Sequence, residues 1–225
     1  MATLQRPLTR AESRAVDQRA SADLGLPSAC LMENAGRGLA SVTIGELRRY
    51  GLHGVLVVAA RGNNGGDGLV AARHIRLRGV PVRILLASPV DSFSPESDPG
   101  RNLKAVQALG IPLLDGSRAD SLRAATAFGK PGEAVVDAVL GTGLEGPVRG
   151  HLAEVLAWLA SSGLPVVAAD IPSGLDADTG ECLGPVPRCV ATATFHAPKA
   201  GLVKGRGPEL AGRITVCDIG IPADF

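Results

Sequence analysis

The sequence has few aromatic residues, no excess of charge of either sign and no long apolar run. Phe, Tyr and Trp make up 3% of the 225 residues, too few for the stacking platforms that bind single-stranded nucleic acid. The 23 Lys and Arg residues balance 22 Asp and Glu residues, for a formal net charge of +1, which indicates no duplex-binding patch. No apolar stretch approaches the roughly 20 residues of a membrane-spanning helix. We therefore expect neither a nucleic-acid partner nor a membrane partner.

Targeting signals and metal-binding motifs are also missing. The first residues do not lead into an apolar signal segment. The four cysteines lack CxxC spacing, which favours reduced, mostly buried thiols. The four histidines form no HExxH pattern, so no zinc site is expected. The sequence predicts a cytoplasmic protein.

The residues that are present are sufficient for one apolar core. Hydrophobic residues make up 45% of the chain and charged residues 20%, as in an ordinary globular protein. The length is that of one α/β domain. Because no linker divides the chain, we expect residues 1–225 to form a single domain.

Apolar runs alternate with helical patterns along most of the chain. Thr9 and Glu12 have the spacing of a capping box, which predicts a first helix with recurring apolar positions to about Leu24, and a second helix is expected from after Pro27 to about Arg49. Strands are predicted at residues 55–60, 82–86, 112–114, 134–137, 166–170, 191–195 and 213–218. Helices are predicted over about ten residues ending at 78, and at 101–109, 119–127 and 151–161, with a loop at 88–100. This order indicates an α/β fold with a doubly wound, mostly parallel sheet and two extra N-terminal helices.

The first unusual loop follows the first predicted strand, at residues 62–68. In doubly wound sheets, ligands bind outside the carboxyl ends of the strands. Glycines there let the backbone approach a ligand, and the next helix offers its N-terminus to an anion. The segment matches neither a Walker loop nor a dinucleotide fingerprint. A plain tight turn would explain the glycines, but not Asn63, Asn64 and Asp67, which add amide and carboxylate groups.

Two later strands end in a carboxylate at the same predicted edge. Asp137 precedes a glycine-rich loop, although a strand-end Asp is also a common helix cap. Asp170 precedes Ile-Pro-Ser-Gly, which is not a Gly-x-Ser-x-Gly elbow, so Ser173 is not predicted to be a nucleophile. The oxygens of Asn64, Asp137 and Ser173 suit an alkali or alkaline-earth cation. Asp170 remains available for proton transfer.

These segments, in this order, resemble the NAD(P)HX epimerase family, also known as the YjeF N-terminal domain family. The resemblance covers nearly the whole chain. The residues that carry it are Met32-Glu33-Asn34-Ala35-Gly36, Asn63-Asn64-Gly65-Gly66-Asp67-Gly68, Asp137-Ala138, Gly141-Thr142-Gly143-Leu144, Asp170-Ile171-Pro172-Ser173-Gly174-Leu175, Thr194-Phe195, Lys199-Ala200-Gly201-Leu202 and Asp218-Ile219-Gly220-Ile221-Pro222.

The resemblance implies a Rossmann-like fold and an isomerase. Members of the family interconvert the R and S hydrates of NADH and NADPH at C6 of the nicotinamide ring, so that an S-specific, ATP- or ADP-dependent dehydratase can repair the whole pool. By position, the resemblance implies one potassium ion per subunit on Asn64, Asp137 and Ser173, and a homodimer. The substrate-binding residues that it implies are Asn63, Asn64, Gly65, Gly66, Asp67, Gly141, Thr142, Gly143, Leu144, Glu145, Gly146, Pro147 and Asp170.

For the mechanism, our hypothesis is that the hydroxyl leaves C6 and re-adds through a cationic ring, with Asp170 as the catalytic residue that moves the proton. Asp67 and Lys199 are the alternative acid–base groups. Glycine N–H groups and a helix beginning after Gly66 would hold the pyrophosphate. The chain ends without a dehydratase domain, which is therefore expected on a separate protein or on a longer form of this one.

Two other functions share these features. A domain of this fold can be a dimerising scaffold, and a nucleotide-binding regulator would use the same glycine-rich loops without turnover. The acidic and cation-binding residues favour the enzyme, because a scaffold can dispense with them.

Overall fold

The computed structural model describes residues 6–126, 131–223 and 225. Seven strands lie in one sheet: β1 Gly54–Ala59, β2 Val82–Leu86, β3 Leu113–Asp115, β4 Glu133–Ala138, β5 Val166–Ala169, β6 Ala191–Phe195 and β7 Arg213–Cys217. Their order is β3-β2-β1-β4-β5-β6-β7, and every pairing between them is parallel. The predicted doubly wound α/β fold is confirmed, with a sheet that is wholly rather than mostly parallel.

Helices cover both faces of this sheet. They are α1 Arg10–Asp23, α2 Ser28–Tyr50, α3 Asn63–Leu77, α4 Asp98–Ala108, α5 Ala119–Thr126, α6 Gly150–Ser161 and α7 Gly207–Leu210, with short 3-10 helices at Val90–Ser92 and Ala200–Leu202. The sequence did not predict α7 or the 3-10 helices. The predicted loop at 88–100 contains one of these 3-10 helices and the start of α4. Residue 127, at which the fifth predicted helix would end, lies outside the described residues. Residues 1–5, where no signal segment is expected, also lie outside them.

The central strands form because their side chains are apolar on both faces. Every residue of β1 and β4 is buried, as expected for parallel strands covered by helices on each side. Val57 contributes to a core on the side of α2 and α3, whereas Leu56 contributes to a second core against α6. The chain leaves β1 towards β2 and later returns to β4 on the other side of β1. The carboxyl ends of β1 and β4 therefore flank the switch point, where a crevice opens.

Helix α1 is capped as the sequence predicts but has little core contact. The Thr9 hydroxyl accepts a hydrogen bond from the Glu12 N–H, and the Glu12 carboxylate accepts one from the Thr9 N–H. The recurring apolar positions contribute less to the core than expected, because Ala20 is buried in the core and Val16 packs against it, whereas Leu24 beyond the helix is exposed. Polar contacts therefore add to the attachment of α1.

The glycine-rich segment after β1 is helical rather than a turn. Helix α3 begins at Asn63, so the prediction of a helix that starts after Gly66 is wrong by one turn. A Cβ atom at Gly65 would lie 1.7 Å from the Ala60 carbonyl oxygen. A Cβ atom at Gly66 would lie 2.6 Å from the Met32 sulfur. These two glycines therefore allow the first turn of α3 to pack against the end of β1 and against α2.

None of the helices in the described part of the chain is both long and apolar enough to cross a membrane. The four cysteines are free, but Cys30 and Cys182 are exposed while Cys189 and Cys217 are buried. The expectation of mostly buried thiols is therefore wrong for half of them.

Candidate functional site

A cavity of about 970 Å³ opens at the carboxyl edge of the sheet, beside the switch point. Its walls come from α1, α2, the start of α3, the loop after β4, and the segment between β6 and the 3-10 helix Ala200–Leu202. A volume of this size is at the upper end of the range for small-molecule sites. The cavity is therefore large enough for a dinucleotide.

The cavity brings together most of the residues that the sequence predicts at the substrate site. The predicted residues that line it are Asn63, Asn64, Asp67, Gly141, Thr142, Gly143, Leu144, Glu145 and Asp170. Gly65 and Gly66 lie behind this surface, in the packing of α3, and Gly146 and Pro147 lie outside the lining. Asp137 and Ser173 are fully buried beneath the cavity rather than on its wall.

Asp170 is held in an unusual backbone conformation directly after β5. Its φ is +66°, in the left-handed region that few residues other than glycine adopt. The Asp170 N–H donates to the Ala193 carbonyl over 2.8 Å, so the β6 backbone fixes this turn. Asp170 Oδ1 accepts hydrogen bonds from the Phe195 N–H at 3.1 Å and the Thr194 hydroxyl at 3.2 Å. Such strain at a cavity wall is typical of functional sites.

Lys199 is the positively charged partner of Asp170. Lys199 Nζ lies 2.5 Å from Asp170 Oδ1, and the lysine is 3% exposed. The ammonium group also donates to the Phe195 carbonyl at 2.8 Å and the Ala197 carbonyl at 3.2 Å. All of these contacts join Lys199 Nζ to oxygen atoms around the turn that carries Asp170. Lys199 is therefore placed to hold the Asp170 carboxylate in position.

Two of the other carboxyl groups in the cavity, Asp67 and Asp17, interact with this ion pair. Burial raises the pKa of Asp67 well above its usual range, and the negative charges of Asp170 and Asp17 raise this pKa further, against the opposing charge of Lys199. Burial also raises the pKa of Asp17, which Lys199 lowers and Asp170 raises. Asp17 is nevertheless accessible to solvent within the cavity. The site thus pairs an ion-paired carboxylate, Asp170, with a carboxyl group that favours its protonated form, Asp67.

Two of the predicted cation ligands, Asp137 and Ser173, are in direct contact beneath the cavity, and the third, Asn64, lies on the cavity wall beside Gly141. Ser173 donates to Asp137 through its backbone N–H at 2.8 Å and through its hydroxyl at 2.6 Å. Ser173 Oγ accepts the Leu140 N–H at 2.8 Å and lies 3.0 Å from the Leu140 carbonyl oxygen. A Cβ atom at Gly141 would lie 3.2 Å from the Asn64 side chain. Asp137 therefore joins β4 to the loop after β5 and is not a helix cap.

This arrangement fits a cation that prefers oxygen ligands. Ser173 Oγ has one proton, which the shorter contact to Asp137 takes, so Ser173 Oγ and the Leu140 carbonyl oxygen face each other as acceptors. Asn64 Nδ2 is buried without a hydrogen-bond partner among the described residues, and rotating this amide by 180° would place its oxygen there. Burial raises the pKa of Asp137 to about 6, against the hydrogen bonds from Ser173. A bound cation would offset that cost of burial.

The family of the chain follows from comparison with known proteins. The model of the family described as YjeF-related protein N-terminus matches residues 28–201. The chain belongs to this family.

Curated relatives in the YjeF-related family carry two kinds of name. A protein of Oenococcus oeni named NAD(P)H-hydrate epimerase is 38% identical over 198 residues, which are 88% of this chain and 89% of the relative. A protein of Salinibacter ruber named Bifunctional NAD(P)H-hydrate repair enzyme Nnr is 42% identical over 221 residues, which are 96% of this chain. This chain spans 41% of the length of that relative and 40% of a similarly named protein of Moorella thermoacetica.

A solved structure resembles the fold of this family member. The crystal structure of the yeast protein YNL200c superposes with a TM-score of 0.77 and covers 94% of this chain and 87% of the yeast chain. The two sequences are 23% identical, so this likeness concerns the fold alone.

Several residues of the YjeF-related motifs hold the fold rather than line the cavity. Asn34 Nδ2 donates to the Ile219 carbonyl at 2.9 Å and so connects α2 to the segment after β7. On α3, Glu33 forms an ion pair with Arg73 and a hydrogen bond with His74 Nε2. The motif on α2 therefore fixes the helices around the cavity.

Sequence reasoning missed the contribution of α1 to the site. Ser13, Arg14, Val16, Asp17 and Ser21 lie on the cavity wall, at spacings of three and four residues that bring side chains to one helix face. Arg14 forms an ion pair at 3.2 Å with Glu145, across the cavity. A helix face that is largely polar is ordinarily exposed to solvent. The one sequence signal for this face of α1 is the four-residue spacing of the polar residues Ser13, Asp17 and Ser21.

Because the pKa of Asp67 is raised in the folded state, the difference in stability between the protein and an Asp67→Asn variant should depend on pH. A carboxyl group whose pKa is higher in the folded state than its usual value of 3.8 stabilises the fold below pH 3.8 and loses that contribution as the pH rises through the folded value. The Tm of an Asp67→Asn variant should therefore equal that of the unsubstituted protein near pH 4 and exceed it by several degrees at pH 8. Thermal unfolding across this range measures the difference.

Asp91→Asn is the matched control for this experiment, because Asp91 is exposed in the 3-10 helix Val90–Ser92. Its Tm should follow that of the unsubstituted protein at every pH. Titration of Asp137 occurs in all three proteins and so cancels in the comparison. A Tm difference for Asp67→Asn that stays constant with pH would contradict the raised pKa.

Proposed function

We propose that this protein is an NAD(P)H-hydrate epimerase, an isomerase that interconverts the R and S C6-hydrates of NADH and NADPH. The observation that carries the proposal is the pair of unlike carboxyl groups in one cavity, Asp170 beside Lys199 and Asp67 with a raised pKa. Two carboxyl groups whose environments separate their proton affinities supply an acid and a base. Relatives of the same family that bear the epimerase name support this assignment.

The acid in this scheme is Asp67. As the C6–O bond breaks, Asp67 gives its proton to the hydroxyl oxygen, which takes the bonding electron pair and leaves as water. The lone pair of the ring nitrogen N1 then forms a double bond to C6, and the ring carries a positive charge. Burial and the charges of Asp170 and Asp17 raise the pKa of Asp67, which favours the protonated form that this step needs.

The base in this scheme is Asp170. Water adds to C6 from the opposite face, its electron pair forms the new C–O bond, and its proton passes to Asp170. Each catalytic cycle in one direction thus moves one proton from Asp67 to Asp170. Proton exchange with solvent or the reverse reaction restores the starting protonation of the two groups. Lys199 and the Phe195 N–H orient Asp170 through Oδ1. The second oxygen, Oδ2, remains available to the substrate.

The remaining cavity walls suit the rest of a dinucleotide. Asn63 and Asn64 lie in the first turn of α3, whose N-terminus opens into the cavity, with Gly62 as the N-cap and no capping hydrogen bond from a side chain. Such a terminus favours a phosphate group. The loop at residues 141–145 presents two glycines and little bulk on the opposite wall.

We also propose that the oxygen cluster beneath the cavity holds a potassium ion, with Asn64, Asp137, Ser173 and the Leu140 carbonyl as its ligands. When bound, the ion would supply a positive charge that offsets the burial of Asp137 and fixes the loops after β4 and β5. The homodimer and the cytoplasmic location stay predictions. Relatives named as bifunctional repair enzymes support an ATP- or ADP-dependent dehydratase as the functional partner.

A coupled assay on a mixed pool of R and S hydrates of NADPH tests the epimerase. An S-specific dehydratase and ATP are supplied, and the absorbance of the restored nicotinamide is followed with and without this protein. The dehydratase alone should stop when the S hydrate is exhausted, and this protein should restore the remaining fraction. If the remaining hydrate is never converted, although its addition still raises the Tm of this protein, the protein is a binding scaffold or regulator and the proposal fails.

Removal of potassium is expected to lower the Tm of the protein by several degrees, because a ligand that binds only the folded state stabilises it by mass action. The comparison uses potassium chloride against N-methylglucamine chloride at equal ionic strength, with sodium chloride as a third arm. Asp137→Asn should abolish the response to potassium. Equal Tm values of the unsubstituted protein in all three salts would contradict the site.

A further inference from the structure

Helix α1 is positioned relative to Lys199 by the backbone. The Leu8 N–H donates to the Pro198 carbonyl and the Ala200 N–H donates to the Leu8 carbonyl, both at 2.8 Å. These two hydrogen bonds lie on either side of Lys199 in the sequence. Arg10, the first residue of α1, donates its N–H to Asp178 at 2.6 Å and its guanidinium to Asp176 at 2.8 Å. The helix is therefore tied to the segment that carries the lysine and to the loop after β5.

This attachment brings one acidic side chain of α1 to the cavity wall. Of the α1 residues that line the cavity, Arg14 and Asp17 carry formal charges, and Arg14 is paired with Glu145. Asp17 forms no hydrogen bond or ion pair with any of the residues that the structure describes. Asp17 is therefore the acidic group on this wall that remains open to a ligand.

The charges around Lys199 do not balance. Three carboxyl groups, Asp17, Asp67 and Asp170, interact with one ammonium group, and Asp170 alone is in direct contact with it. When Asp67 is protonated and Asp17 and Asp170 are ionised, these three groups and Lys199 together carry a net charge of −1. A carboxylate in this position attracts a positive charge that forms in the cavity.

We propose that Asp17 is a further catalytic residue, which contacts the hydrated nicotinamide ring and stabilises the positive charge that the ring acquires as the C6–O bond breaks. The inference rests on the proposed epimerase function and adds to it. Asp17 lies outside residues 28–201, which the family model matches. The role follows from the cavity, the attachment of α1 and the unpaired charge.

The test measures kcat and KM of the Asp17→Asn variant in the coupled assay. Asparagine keeps the shape of the side chain but loses the charge, so kcat should fall about ten- to hundredfold. KM should change by less than about threefold, because the neutral ground-state ring gains little from the charge. Asp17→Glu, which keeps the charge, should recover part of the loss. Asp23→Asn is the matched control, because Asp23 is an exposed aspartate of the same helix that does not line the cavity.

The outcomes separate this inference from the function on which it rests. If the unsubstituted protein is active and Asp17→Asn has the kcat of Asp23→Asn, the role of Asp17 is overturned and the epimerase stands. A rise in KM at unchanged kcat would overturn it too, since that result indicates uniform binding. If Asp17→Asn has a lower Tm than the unsubstituted protein, its kcat is compared with that of the folded Asp17→Glu variant. A kcat of Asp17→Glu that is no higher than that of Asp17→Asn overturns the role. An inactive unsubstituted protein would overturn the epimerase itself.

Discussion

Asp170→Asn is expected to lower the kcat of hydrate epimerisation by about a hundredfold to ten-thousandfold, the range for loss of a general acid or base. The amide cannot accept the proton that water loses when it adds to C6. It can still accept the hydrogen bonds from the Phe195 N–H and the Thr194 hydroxyl. Asparagine also tolerates the left-handed backbone at this position, whereas alanine would add strain. The coupled assay measures the loss.

The control for this variant is Asp91→Asn, which removes an exposed carboxyl group outside the cavity lining and should keep full kcat. The Tm of Asp170→Asn should also be compared with that of the unsubstituted protein, because the substitution leaves Lys199 buried beside a neutral side chain. A folded variant with kcat within about threefold of the control would show that Asp170 is not the base. Asp67 would then remain as the acid–base group that the geometry supports.

The strands of this fold could be predicted from the sequence because burial on both faces makes each one a short apolar run. Residues 55–60 and 134–137 have no polar side chain until the end of the sheet, and the observed β1 and β4 differ from these ranges by one residue at each terminus. The carboxylates Asp137 and Asp170 could be placed at one edge for the same reason, since the carboxyl ends of parallel strands meet there.

The start of α3 could not be predicted because a glycine can serve either of two physical purposes, and the sequence does not show which. Gly65 and Gly66 in a turn would supply backbone freedom, whereas in this helix they supply close contact with Ala60 and Met32. Only the three-dimensional neighbours distinguish the two cases.

The electrostatics of the site were equally hidden from the sequence. The pKa of Asp67 depends on the charges of Asp17, Asp170 and Lys199, which come from three distant parts of the chain. The ion pair between Asp170 and Lys199 forms because Asp170 directly follows β5 and Lys199 comes soon after the neighbouring strand β6. Residue types alone could therefore nominate Asp67, Asp170 and Lys199 but could not assign their roles.

Gly65→Ala is expected to destabilise the protein by more than about 4 kcal/mol, a loss reserved for severe steric or packing defects. Its Cβ would lie 1.7 Å from the Ala60 carbonyl oxygen and 2.7 Å from the Ala60 carbonyl carbon, and neither backbone atom can rotate away as a side chain can. Relief requires the first turn of α3 to move off the end of β1, which displaces Asn63, Asn64 and Asp67 together.

The expected result for Gly65→Ala is a fall in Tm on the order of 10 °C for a chain of this length, with loss of epimerase activity and of the response to potassium. Gly62→Ala is the control, because Gly62 is the N-cap of the same helix with φ −80° and no atom within 4 Å of an added Cβ. Its Tm should differ little from that of the unsubstituted protein. Equal Tm values for the two variants would mean that Gly65 of α3 does not pack closely against Ala60 at the end of β1. Loss of epimerase activity and of the potassium response with Gly65→Ala, beside an unchanged Tm of Gly62→Ala, would show that one close backbone contact positions the acid and the cation ligand alike.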